Sequence, residues 1–131
     1  MPPDTILILS YIIFMWLVIL HTFEEISCDI MEVNIGHIRM TKKKYLFGAS
    51  MISTVNLLTL AFLVIGLPLG YYLGLFTSAI IGVFQGIVHT IGYLRENKNA
   101  RGLGAGFYSS IPLALFGIVL FSQFIWVIIS D

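Results

Sequence analysis

The side chains able to do chemistry fall into three short sets. The first is His21-Thr22-Phe23-Glu24-Glu25, where helical offsets of i, i+3 and i+4 put His21, Glu24 and Glu25 on one face. The second is His89, followed by Tyr93 at i+4 and Glu96 at i+7. The third is Tyr108-Ser109-Ser110, just ahead of Pro112. A histidine beside carboxylates can hold a metal ion, because imidazole suits zinc, iron and copper while carboxylate oxygens suit harder ions. The candidate ligands are His21, Glu24, Glu25 and His89, and the expected cofactor is a divalent metal, zinc or iron. The same groups also form a tunable acid–base set that needs no metal. Tyr108 joins the catalytic candidates as a group that would orient the substrate.

Helical bundles build dimetal sites from Glu and Glu-x-x-His groups on facing helices. Here the order is reversed, and no His-Glu-x-x-His occurs. Plainer roles stand beside these. Glu24 and Glu25 could be solvated or paired with Lys42 to Lys44, His89 could be satisfied by Tyr108 or Ser109, and Glu96 could be solvated in its polar loop. His37 is assigned no role.

The elements that must position these groups are apolar. Of 131 residues, 58% are hydrophobic and 11% charged, against about 45–50% and about 25% in soluble domains. So few charges cannot cover a chain of this size in water, which points to the lipid bilayer as a partner. Seven basic and seven acidic residues give zero formal charge, so a nucleic-acid partner is excluded on global charge. Cys28 is the single cysteine and has no partner for an internal disulfide.

Four apolar stretches, about 5–25, 45–67, 69–94 and 103–129, each approach or exceed the ~20 residues that span a bilayer as a helix. They do not alternate as barrel strands do. The expected fold is therefore an all-α integral membrane protein, a single four-helix transmembrane bundle. Met-Pro-Pro-Asp lacks the basic start of a signal peptide, so the first helix is expected to stay, with Asp4 and Thr5 available to cap it. The segment 26–38 reads as an amphipathic helix extending the first one, with Gly36 as a plausible end.

Every basic residue lies after the first stretch (Arg39, Lys42, Lys43, Lys44) or after the third (Arg95, Lys98, Arg101). Basic loops face the cytoplasm, so the topology reads N-out/C-out, in a membrane expected to be the plasma (inner) membrane of a prokaryote. On that topology His89 lies about 9 Å inside the cytoplasmic charge layer and Tyr108 about 10 Å. His21, Glu24 and Glu25 fall near the same level. Val18-Ile19-Leu20-His21-Thr22 also echoes Gly86-Ile87-Val88-His89-Thr90, which suggests two parallel hairpins with their histidines in one leaflet.

Asn56 and Gln85 are placed to hydrogen-bond across helices, and Gly82-x-x-x-Gly86 to let two helices approach closely. Gly102, Gly104 and Gly106 form no phosphate cradle, since no strand precedes them and no Gly-Lys-Ser/Thr follows. Pro112 is expected to kink the last helix and free the carbonyl of Tyr108.

His21-Thr22-Phe23-Glu24-Glu25 near the start of a small four-helix chain resembles the HXXEE-motif membrane proteins. The resemblance extends to His89, the polar segment ending at Gly102, and the last helix with Pro112. Where that family has a Tyr-Pro-Gly-like turn, this chain has Ala100-Arg101-Gly102 and shares only the glycine. The family has no assigned function, so the resemblance implies a site at His21, Glu24, Glu25 and His89 without implying its reaction.

The preferred expectation is an intramembrane enzyme, metal-dependent or acid–base, acting on a lipid-like or isoprenoid small molecule from the cytoplasmic leaflet. Two other classes stay open: a proton-coupled transporter working as a homodimer, and a structural or assembly partner.

Overall fold

In the computed structural model, residues 4–28, 34–35, 38–96 and 102–130 are described. Helix α1 spans Thr5–Ser27, α2 Lys42–Val64, α3 Pro68–Arg95 and α4 Phe107–Ser130, and all four are long and apolar enough to cross a membrane. Their outward faces carry large apolar side chains such as Leu9, Trp16, Leu57, Phe76, Ile118 and Trp126. The expected four-helix architecture is present, with boundaries shifted by a few residues.

Each boundary has a local cause. Asp4 accepts from the amides of Ile6 and Leu7, capping α1. Thr41 caps α2 by accepting from Lys44, which starts that helix ahead of its first apolar residue. Gly66, at φ 73°, turns the chain out of α2, and Pro68 sits where α3 begins and needs no amide partner. The last helix begins at Phe107 instead of residue 103, because Gly102–Gly104 form a 3-10 turn and Gly106 takes a positive φ of 83°. Pro112 lies inside α4, and the helix continues past it.

The amphipathic extension of α1 is corrected. The helix ends at Ser27, and Asn34–Ile35 (β1) pairs antiparallel with Ile38–Arg39 (β2). The rest of that predicted segment, 29–33 and 36–37, lies outside the described residues.

α3 is not uniform. Its middle, Ser78–Phe84, is π-helical. Where it begins, the hydroxyls of Thr77 and Ser78 donate to the carbonyls of Gly74 and Leu75, competing for acceptors of the regular ladder. Such widened turns occur often at functional sites. Here it immediately precedes the Gln85–Arg95 part of α3, which carries His89.

Glycines bring α3 and α4 into near contact. A Cβ on Gly82 would stand 3.0 Å from Gly117 Cα, and one on Gly86 2.5 Å from Ala114 Cβ, as the Gly82-x-x-x-Gly86 spacing predicts. α1 packs on α4, and its buried face carries Leu7, Tyr11, Phe14 and Val18. Tyr11 donates to Asn56 Oδ1 at 2.7 Å and meets Thr77 Oγ1 at 3.0 Å, tying α1, α2 and α3 together. α2 packs along the Pro68–Thr77 part of α3 and draws away from the Gln85–Arg95 part. That divergence opens a cleft beside His89.

Candidate metal centre

The buried stripe of α1 continues through His21 and Glu25. The intervals along Leu7, Tyr11, Phe14, Val18, His21 and Glu25 alternate between four and three residues, the period of one helix face. His21 is 3% exposed, Glu25 6% and His89 2%. The histidine rings pack edge to face with centroids 4.7 Å apart. Glu25 Oε1 lies 3.6 Å from His21 Nε2 and 3.2 Å from His89 Nε2. One nitrogen from each ring and one carboxylate oxygen lie within 4.8 Å of one another.

Hydrogen bonds on the far sides of the rings orient them and select the tautomer of their neutral forms. His89 Nδ1 is 3.0 Å from the carbonyl of Leu103, which can only accept, so Nδ1 carries the proton and donates. Ser109 Oγ donates to the carbonyl of Gly106 at 3.3 Å and lies 3.0 Å from His21 Nδ1. With that hydroxyl proton used, Ser109 accepts from His21 Nδ1–H. In the neutral form of each ring an Nε2 lone pair faces inward, and neither Nε2 has a hydrogen-bond partner. The carboxylate is oriented as well, because Tyr45 donates its phenol proton to Glu25 Oε2 at 2.9 Å and leaves Oε1 facing the rings.

With both rings neutral, three buried acceptors converge without a donor between them, an arrangement relieved by a bound cation or by a proton on one imidazole. The donor set fits a metal. Two imidazoles and one carboxylate recur in catalytic zinc centres and in the facial triad of non-haem iron. Ligands at about 2.1 Å around a tetrahedral ion lie roughly 3.4 Å apart, near the two separations from Glu25. Imidazoles whose second nitrogen donates to a carbonyl or hydroxyl have the usual outer support of a metal-bound histidine.

The other predicted residues lie elsewhere. Glu24 sits at i+3 from His21, but the stripe turns it toward α4, where its carboxylate accepts from the amides of Tyr108 at 3.1 Å and Ser109 at 2.6 Å. It caps the start of α4, whose first amides have no partner inside the helix. Tyr108 supplies that amide only; its ring is 62% exposed and lies near Tyr93 and Phe107, outside the cluster. Glu96, read as solvated, accepts from the Leu103 amide and holds the 3-10 turn. Among the described residues, neither Glu24 nor Glu25 pairs with Lys42, Lys43 or Lys44.

Of four supporting residues, Ser109 belongs to the third polar set of the sequence, and Tyr45, Gly92 and Gly106 carry no site signal there. Tyr45 and Ser109 reach the cluster from α2 and α4. Gly92 lets the turn close on α3, since a Cβ there would stand 2.4 Å from Leu103 C. Gly106 combines its positive φ with a close approach to the cluster, where a Cβ would stand 2.6 Å from His21 Cε1. The positive φ leaves only a weak mark, a glycine beside a helix start.

The cluster forms one end of a cavity of about 240 Å³ between α1, α2 and α3, whose other walls include Gly48, Ala49, Ile52, Ile81 and Val88. Comparison with protein-family models, with curated proteins and with solved structures finds no match for this chain.

Proposed function

We propose that this chain is an integral membrane metalloenzyme in which His21, Glu25 and His89 hold one divalent ion, zinc or iron, facing a lipid-like or isoprenoid substrate. The observation that carries the reading is the pair of buried Nε2 atoms without a hydrogen-bond partner, 3.6 and 3.2 Å from one oxygen of Glu25. His21, Glu25 and His89 would supply three ligands, which leaves room for a further one as in catalytic centres, and they lie at one end of the cavity. When bound, the ion would polarise an oxygen of substrate or water. The chain's own part is to fix the ligands through Leu103, Ser109 and Tyr45, and to surround the site with apolar walls that limit water. The bundle is read with both termini outside, because all seven basic residues follow the first and third helices. The resemblance to the HXXEE proteins agrees with a site at this place, with Glu24 acting through the structure of α4.

Metal analysis of the purified protein tests this reading. About one zinc or iron per chain is expected, lost in His21→Ala, His89→Ala and Glu25→Gln and kept in Glu24→Gln. A metal-free protein that also fails to take up added zinc or ferrous ion refutes it, as does an ion whose retention ignores the three ligands.

A further inference from the structure

The cavity beside the cluster has two chemically different ends, and a second hollow adjoins it. Its polar end carries His21, Glu25, His89, Tyr45 and Lys44; beyond them the walls are apolar. Ile52, Ile81 and Gln85 line this cavity and also a second, apolar groove of about 200 Å³ between α2 and α3, which continues past Val55 to Phe76. The groove lies where α2 and α3 present outward apolar side chains, including Met51, Phe76 and Ile80. The cavity and the groove thus adjoin at Ile52, Ile81 and Gln85, and the groove lies against the outer surface of the bundle.

Volume limits what the cavity and groove can hold. At roughly 30 Å³ for a water-sized group, the cavity takes on the order of eight such groups and the groove on the order of seven more. One alkyl or isoprenoid chain of about that many groups fills the two spaces. Charge limits the head. Glu25 contributes one negative charge, a divalent ion two positive charges and Lys44 one more, so the polar end carries an excess of positive charge. The Lys44 ammonium gives one donor to the Arg39 carbonyl at 3.0 Å, and an ammonium has three.

We infer that the ligand of this site is a single-chain amphiphile with an anionic oxygen head, a carboxylate or a phosphate monoester. Its head lies between Lys44 and the ion, and its chain runs past Ile52, Ile81 and Gln85 into the groove between α2 and α3. The placement of the head rests on the metal reading above, and the placement of the chain does not. Gln85 stands at the junction of cavity and groove and is the chain's one polar neighbour there.

Photolabelling of the full-length, metal-loaded protein in phosphatidylcholine nanodiscs tests this. Three probes share a fourteen-carbon chain (on the order set by the volumes above) with a mid-chain diazirine, and end in a carboxylate, a phosphate or a hydroxyl. Label is expected within 49–55 of α2 and 80–85 of α3, about tenfold stronger for one or both anionic probes than for the alcohol. Lys44→Gln, on an exposed side chain, is expected to bring the anions down to the alcohol's level. Gly48→Phe is expected to block all three probes, because a Cβ at Gly48 meets nothing within 4 Å and the ring enters the cavity.

Label spread evenly over outward residues such as Leu57 and Ile118 overturns the inference, as does equal labelling by all three heads or indifference to Gly48→Phe. Whichever anion labels more strongly identifies the head. Metal content is read on the same samples. One ion per chain without the α2–α3 label rejects the ligand and keeps the centre. Label along the cavity and groove in a protein that takes up no metal rejects the centre and, with it, the placement of the head.

Discussion

Gly92 has no chemistry of its own, yet Gly92→Ala should weaken the metal centre through Leu103. A Cβ at Gly92 would stand 2.4 Å from Leu103 C and 2.5 Å from Leu103 O. Ordinary contact begins near 3.4 Å, so the turn must retreat by about 1 Å. The His89 Nδ1–Leu103 O bond is 3.0 Å long, and a retreat of that size takes it beyond the roughly 3.5 Å limit of a hydrogen bond. His89 then loses the partner that fixes its tautomer and ring angle. Loss of such outer support costs about 10–100-fold in metal affinity, roughly 1.4–2.8 kcal/mol. The assay is competition of the metal-free protein with a chromophoric chelator for zinc, read beside thermal unfolding. Gly74→Ala is the control, since its Cβ would collide with the Phe124 ring at 2.0 Å, roughly 20 Å along α3 from His89. Both variants should lower Tm, and only Gly92→Ala should weaken zinc binding. Unchanged affinity in Gly92→Ala, or equal losses in the two variants, would refute the reasoning.

Three further outcomes follow from the same contacts. Tyr45→Phe removes the donor to Glu25 Oε2, and zinc affinity in the chelator assay should fall about tenfold with the fold intact. Glu24→Gln should lower stability by about 1–2 kcal/mol, because a neutral amide caps the amides of Tyr108 and Ser109 less well, while metal stoichiometry stays at one. Unfolding in detergent measures the first quantity and elemental analysis the second. Asn56→Leu leaves the Tyr11 phenol without its 2.7 Å acceptor and should cost about 1–3 kcal/mol in the same unfolding assay, with zinc affinity unchanged.

The four helices were readable because length and apolarity are properties of a single segment, and each segment carries about a bilayer's worth of both. His21, Glu25 and His89 were readable for a related reason: an ionisable side chain in an apolar helix is costly and stands out. The extension of α1 was misread because a short run with mixed apolar and polar residues suits a helix or a hairpin equally, and the pairing of Asn34–Ile35 with Ile38–Arg39 depends on a contact across the chain.

What only the tertiary structure decided is which of the neighbouring polar groups act together. Glu24 and Glu25 are adjacent, but one residue is about 100° of helix rotation. That rotation sends Glu25 to the histidines and Glu24 to the amides of α4. The sequence named the two histidines but not their orientation, which depends on Leu103 and Ser109 meeting them from another segment. Those meetings in turn need Gly92 and Gly106, where the absence of a Cβ is what lets the backbones close. Helix period and hydrophobicity are local and survive in one dimension; the direction of a lone pair is set by whatever packs behind the ring.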